Sequence, residues 1–257
     1  NATAAVLVAL AVAGCASRDK TTTGSVERGY SGRPVEQLSA SELNSELDTL
    51  GRAYTRDTKN KAVALRYAAV LQMNGRSDQS LAVMRKLAID LPKDREVLAA
   101  YGKSLAAAGE LEPALDAVRR AQTPEYPDWR LLSAEAAILD QLGDTTGARS
   151  LYRKAVEMKP GEPSILSNLG MSYVLEGDLK QAEKYMRQAA QMPGADSRVR
   201  QNLALVVGLQ GRFKEAEDIA REELSPQQAQ ANVDYLRSML AQQNAWKQLE
   251  REERNTN

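Results

Sequence analysis

The sequence contains a single cysteine, Cys15, which stands at the end of the apolar run AAVLVALAVAG. A lone cysteine can be a nucleophile, a core residue, half of a disulfide or a point of attachment. The chain contains no histidine, so no imidazole can activate the thiol, and Ser-His-Asp catalysis and histidine-ligated zinc are excluded. Intramolecular disulfides and thiolate metal cages need a second cysteine. The residue types therefore favour attachment at Cys15 over catalysis.

Two other patterns resemble catalytic motifs. Gly102-Lys103-Ser104 looks like the end of a phosphate-binding loop, but the earlier glycine of such a loop would fall at Val97, and the surrounding pattern is helical. Acidic residues cluster in KEAEDIAREEL and EREER, where they alternate with Lys and Arg at the spacing of a solvated helix face. We therefore predict no catalytic residue, no metal site and no small-molecule substrate.

The charge balance argues against a nucleic-acid partner. The chain has 34 Lys and Arg and 34 Asp and Glu, whereas nucleic-acid-binding proteins usually show a basic excess or a basic stripe. Leu and Ala dominate the sequence, and aromatic residues amount to only 5%. This composition favours an all-α protein.

The apolar run at residues 4–13 is too short for a membrane-spanning helix, which needs about 20 residues. It is typical of the core of a secretory signal. Val12-Ala13-Gly14-Cys15 then matches the bacterial lipobox, so residues 1–14 are expected to be a signal peptide that lacks its true start. Cys15 would carry diacylglycerol and an N-acyl chain, and Ala16 after it indicates the outer membrane. The alternative is an ordinary buried helix with a core cysteine.

A polar segment follows the cysteine. Residues 15–34 are rich in Thr, Ser, Gly and charge and are predicted to form a flexible tether, spanning roughly 25 Å as a random chain. Residues 35–60 are assigned to an N-terminal capping segment with a helix at about 40–56. Ser39 and Glu42 have the spacing of a capping box at its start.

The body of the sequence repeats every 34 residues, which is the period of the tetratricopeptide repeat (TPR). One column of the repeat holds glycine, which is expected to end each first helix in a turn. These glycines are Gly75, Gly109, Gly143, Gly177 and Gly211. Two further columns hold small residues that allow the two helices of a repeat to pack closely. Their members are Ala68, Gly102, Ala136, Gly170 and Ala204, and Ser80, Ala114, Ala148, Ala182 and Ala216.

These columns predict an all-α TPR solenoid, a right-handed superhelix of helix–turn–helix repeats. Residues 61–225 are assigned to five repeats, residues 226–249 to a C-terminal capping helix that begins with a Ser225–Gln228 capping box, and residues 250–257 to a disordered tail. The predicted repeat starts are Lys61, Arg95, Trp129, Pro163 and Ser197.

First helices of such repeats line a groove, and the predicted groove is apolar enough to dock a peptide or helix. Its predicted residues are Leu65, Ala69, Met73, Ala99, Lys103, Ala137, Asn168, Met171, Leu175, Asn202, Leu205 and Leu209. Asn168 and Asn202 lie 34 residues apart and each precedes Leu. Their amides can bond to the backbone of an extended peptide, or asparagine is simply common at this repeat position. Some groove residues can instead pack against a neighbouring repeat.

The lipobox, the tether, the repeats and the segment RQNLALVVGLQGRFKEAEDIAREELSPQQAQANVDYLRSML together resemble TadD, the TPR lipoprotein family of tight-adherence (Flp) pilus systems. The resemblance covers most of residues 10–249. It implies a non-catalytic lipoprotein on the periplasmic face of the outer membrane. This protein would act like a pilotin in assembling the pilus secretin, with the secretin or another pilus subunit as its partner. The alternatives are a BamD-like role in outer-membrane protein assembly and regulation of a cell-wall enzyme by binding.

Overall fold

The computed structural model describes residues 33–123, residue 125 and residues 127–256, without the side chains of residues 36 and 243–256. The predicted signal peptide, Cys15 and all but the last two residues of the predicted tether lie outside the described residues. The chain forms two compact units, with the boundary between Leu151 and Tyr152.

The first unit contains the helices that precede this boundary. A short 3-10 helix, Val35–Gln37, comes before them. The helices are α1 (Ala40–Arg56), α2 (Lys61–Met73), α3 (Ser77–Asp90), α4 (Arg95–Ala107), α5 (Leu111–Ala121), α6 (Trp129–Leu142) and the first half of α7 (Thr145–Met158).

The second unit contains the second half of α7 and the helices that follow it. These are α8 (Pro163–Glu176), α9 (Leu179–Ala190), α10 (Ser197–Leu209), α11 (Phe213–Ala220) and α12 (Pro226–Thr256). The all-α repeat fold predicted from the sequence is confirmed.

The glycine column ends the first helix of every repeat, as predicted. All five of its glycines adopt positive φ, between 72° and 91°, a conformation that disfavours residues with a Cβ atom. At Gly143 and Gly177 this left-handed residue is the C-cap itself, and its N–H bonds back to carbonyls of the last helical turn.

The two columns of small residues bring paired helices into close contact. A Cβ atom added to Gly102 would lie 2.6 Å from Cγ2 of Val118 on the second helix of the same repeat. At Gly170 an added Cβ would lie 2.8 Å from Cγ of Met186. In the first repeat the contact is also polar, because Oγ of buried Ser80 donates to the carbonyl of Ala68 at 2.8 Å. Small residues are therefore required where the helices meet.

Both predicted capping boxes are present. The Ser39 hydroxyl accepts a hydrogen bond from the Glu42 N–H, and the Glu42 carboxylate accepts one from the Ser39 N–H. At the start of α12, the Gln228 N–H donates to Ser225 Oγ at 3.3 Å, and the Ser225 N–H donates to Gln228 Oε1 at 3.1 Å. These bonds satisfy N–H groups that the first helical turn leaves without partners.

The last helix is longer than the sequence predicts. Its predicted end is residue 249, with a disordered tail from 250, but α12 continues to Thr256. The physical reason is the absence of any stop signal, since no Gly or Pro follows Pro226. Among the helices that the structure describes, none combines the length and the apolar character needed to cross a bilayer.

Candidate protein-binding surface

In the first unit, the predicted groove residues of α2 lie one turn apart along the helix. Leu65 and Ala69 are half-buried and pack against the core, whereas Met73 is 49% exposed. Ala99 on α4 and Ala137 on α6 are also half-buried, and Lys103 on α4 is exposed. Of the predicted groove residues in the first unit, Met73 and Lys103 are therefore exposed, and the others are half-buried.

In the second unit, the predicted residues of α8 differ in burial. Leu175 is 38% exposed, but Met171 is buried with 8% of its surface exposed. Met171 belongs to the core cluster that contains Met186 and Leu203, so it packs against a neighbouring repeat, which is the alternative given for groove residues. The helical period gives the face on which Met171 lies, and the packing of α9 and α10 decides how deeply it is covered.

On α10 of the same unit, Leu205 and Leu209 are half-buried and pack against the core. The amide of Asn202 is used within the fold, because its Nδ2 donates to Ser167 Oγ at 3.1 Å. This bond joins the first helices of adjacent repeats. Asn168 on α8 is half-buried.

The second unit contains an ionic cluster that the sequence did not indicate. Glu183 on α9 accepts hydrogen bonds from Arg212, from Gln210 Nε2 at 2.8 Å and from Arg187 Nε at 2.7 Å. The Arg212 hydrogen bond is the main cause that lowers the pKa of Glu183 from 4.5 to about 2. Arg187 and Arg212 also bond to Glu215 on α11. The cluster fastens the turn between α10 and α11 to α9.

A segment before α1 is also fixed to the fold, which the sequence did not indicate; we call it the strap (residues 33–38). Val35 and Leu38 of the strap are buried against α1 and α2. Arg66 on α2 donates from Nη1 to the carbonyl of Arg33 at 3.1 Å. Arg66 also forms a bidentate pair with buried Glu46 on α1, with both N–O distances 2.8 Å. Residues 33 and 34, assigned to the flexible tether, therefore belong to the folded unit.

The described residues contain no group of three or more His, Cys, Asp or Glu side chains arranged to hold a metal ion. Of the apolar residues predicted for the groove, Met73 and Leu175 are the two that are exposed, and stacked helical repeats commonly bind their partners on concave surfaces.

Comparison with known proteins agrees with this architecture. Two family models described as tetratricopeptide repeats match residues 141–206 and residues 112–163. The chain has the all-α fold of tetratricopeptide-repeat proteins. No curated protein sequence matches the chain.

Several solved TPR structures are similar to the chain. A thermophilic TPR protein of Thermus thermophilus shares 22% identity, with 67% of this chain and 96% of that chain covered and a TM-score of 0.59. A TPR protein of Parabacteroides merdae shares 17% identity, with 79% and 81% covered and a TM-score of 0.57. PilF of Pseudomonas aeruginosa shares 18% identity, with 75% and 90% covered and a TM-score of 0.52. At these identities the likeness concerns the TPR fold alone.

Proposed function

We propose that this TPR protein is a lipid-anchored, non-catalytic scaffold that binds a segment of a pilus-assembly protein, as TadD-type lipoproteins are expected to do. Three features support the proposal: the lipobox at residues 12–15, the TPR fold, and the TadD-like segment at residues 200–240. TPR proteins act mainly by binding other proteins, so the partner's identity is the specific part of the proposal. The partner we propose is the secretin of the pilus or another pilus subunit.

The proposed binding role rests on one observation. Each unit has an exposed apolar side chain on the first helix of one of its repeats. Met73 on α2 is 49% exposed, and Leu175 on α8 is 38% exposed. Met73 follows half-buried Leu65 and Ala69 on α2, and the unit of Leu175 also carries half-buried Leu205 and Leu209 on α10. Methionine is flexible and polarizable, which suits a surface that receives a partner's apolar residues.

The proposed anchor is the lipid on Cys15, with the protein on the periplasmic face of the outer membrane. One acyl chain gives only marginal membrane binding, whereas diacylglycerol with an N-acyl chain anchors stably. Cys15→Ala therefore tests the anchor. We expect the variant to leave the membrane fraction, and heat-resistant secretin multimers to fall with it. Unchanged multimers and pili in a strain lacking the whole protein would contradict the pilotin-like role.

A second experiment tests the surface. Met73→Glu and Leu175→Glu each place a charge on the first helix of a repeat. The control is Ile89→Glu, which places the same charge on α3, the second helix of a repeat, at a side chain that is 73% exposed. We expect the first two variants to reduce secretin multimers while the protein stays in the membrane at normal amounts, and Ile89→Glu to change nothing. Equal behaviour of all three variants would argue against binding through first helices. A general loss of outer-membrane proteins would favour the BamD-like role instead.

A further inference from the structure

A further column of the repeat, on the second helices, holds arginine in every repeat. Its members are Arg85, Arg119, Arg153, Arg187 and Arg221. All of them except Arg153 form an ion pair with a glutamate. In chain order these glutamates are Glu110, Glu135, Glu183 and Glu217. The fold thus neutralises the arginine of this column in the first, second, fourth and fifth repeats.

The third repeat treats its cations differently. Among the residues that the structure describes, no carboxylate forms an ion pair with Arg153 or with Lys154 beside it, and both side chains are exposed. In the two preceding repeats, the cation beside the arginine is paired on its own helix, with Asp90 or Asp116. The third repeat therefore leaves two positive charges in solvent at positions where the earlier repeats neutralise them.

Two more cations lie on α9, the next second helix along the chain. Lys180 and Lys184 are exposed and one helical turn apart, and no carboxylate of the described residues pairs with either. The helices α7 and α9 meet near Tyr185, which packs against the same buried cluster as Val156 of α7. Lys184 Nζ lies 5.8 Å from the centre of the Tyr185 ring. Burial raises the pKa of the Tyr185 hydroxyl, and the nearby Arg153 guanidinium opposes that rise.

We call these four side chains the basic patch (Arg153, Lys154, Lys180 and Lys184). The acidic residues on the same helices offset the patch only in part. Glu183 is held by Arg212 in the ionic cluster, and Asp178 caps α9 by accepting from the Gln181 N–H at 3.1 Å. Glu157 is exposed on α7. The patch is therefore a local excess of positive charge in a chain whose net charge is zero.

We propose that the basic patch binds the phosphate groups of anionic phospholipids and turns this face of the second unit toward a membrane. The choice of a membrane rests on the proposed function, because a lipid on Cys15 would keep the patch beside a bilayer. Cations spread over two helices suit an extended layer of phosphates, since attraction to a charged surface needs no fixed ligand geometry. A basic patch also adds a second, electrostatic contact to a lipid anchor.

Flotation of the Cys15→Ser chain, which cannot be lipidated, with phospholipid vesicles tests the proposal. We expect binding to vesicles in which half of the lipid is phosphatidylglycerol, release of the protein at high salt, and no binding to phosphatidylcholine vesicles. Equal behaviour with the two kinds of vesicle would overturn the proposal. Binding to a polyglutamate peptide without binding to vesicles would also overturn it, and would assign the patch to an acidic protein segment.

Paired substitutions locate the binding on the patch. Arg153→Gln with Lys154→Gln removes two patch cations and is expected to weaken vesicle binding roughly 25-fold, at about fivefold for each cation. The matched control is Arg119→Gln with Arg120→Gln, the same two positions one repeat earlier, where both cations are paired. Both double variants lower the net charge by two, and we expect the control to bind as the parent chain does. Equal losses in the two variants would overturn the patch.

The α9 half of the patch is tested by Lys180→Gln with Lys184→Gln, for which we expect a similar loss. Full binding by this variant would overturn the four-residue patch, and circular dichroism verifies that each variant keeps its helix content. The patch alone binds weakly, so Cys15→Ala is still expected to leave the membrane fraction of cells. A chain that ignores vesicles yet needs Cys15 in cells would overturn the patch and leave the proposed lipid anchor standing.

Discussion

At the scale of single residues, the distance between paired helices depends on glycines, whose lack of a Cβ atom lets the helices approach. Gly102 faces Val118, and Gly170 faces Met186, at separations that leave no room for a Cβ atom. Both glycines belong to a column that the 34-residue period identifies, so their packing role is one that the sequence predicts.

Replacing Gly102 by Leu is expected to destabilise the protein. The added side chain meets Val118 and the backbone of α5, and such overpacking costs about 1–3 kcal/mol. The free energy of unfolding is measured with urea. Gly161→Leu is the matched control, since an added Cβ there meets nothing within 4 Å and its φ is not in the left-handed region. Equal losses in the two variants would show that close helix approach at Gly102 is not limiting.

Glu183 is expected to make stability depend on acid pH. Its pKa is lowered from 4.5 to about 2, mainly by the hydrogen bond from Arg212, so the folded state favours the ionised carboxylate. The stabilisation is complete above about pH 5.5, where Glu183 is ionised in both states, and is lost as the pH falls toward 2. Glu183→Gln should therefore lower the free energy of unfolding at neutral pH and flatten its decline between pH 5 and pH 2.

The control for this prediction is Glu157→Gln, which neutralises an exposed glutamate of the same unit. We expect that variant to keep the wild-type dependence of stability on pH, measured by urea unfolding at each pH. If wild type and Glu183→Gln lose stability in parallel from pH 5 to pH 2, the bonds from Arg212, Gln210 and Arg187 do not hold the carboxylate in its ionised form.

At the scale of elements, α12 depends on few buried side chains for its place on the second unit. Leu236→Ala removes the side chain that lies against Gly208 and should destabilise the unit by about 2–5 kcal/mol. Ser238→Ala, an exposed position two residues further on, should change stability by about 0.5 kcal/mol or less. Thermal unfolding followed by circular dichroism compares the two. A small effect of Leu236→Ala would mean that α12 is held by other contacts.

Most helix positions follow from the sequence because the repeat fixes their spacing. First helices begin at Lys61, Arg95, Trp129, Pro163 and Ser197, each 34 residues after the previous one. Other ends were harder to predict. The strap is too short to show a periodic pattern, although Val35 and Leu38 are spaced to share one face. The end of α12 was misplaced because the polar segment after residue 249 carries no residue that stops a helix.

At the scale of the whole molecule, the period predicts which face of a helix a residue lies on, but not how completely neighbours cover that face. Met73 and Leu175 are exposed as a binding surface requires, while Met171, on the same predicted surface, is buried. The ionic cluster around Glu183 was missed for a related reason. Its partners Gln210 and Arg212 lie 27 and 29 residues away, so only the folded chain brings them together.

The strap also determines where mechanical load would enter the protein. For a chain held at Cys15, the segment up to Arg33 can extend by at most about 60 Å, and any further pull falls on the strap. The first links to bear that tension are Val35 and Leu38 against α1 and α2, and the bond from Arg66 to the Arg33 carbonyl. Because Arg66 is also paired with Glu46, the strain passes into two helices at once. The strap is therefore the first folded segment that such a pull would reach.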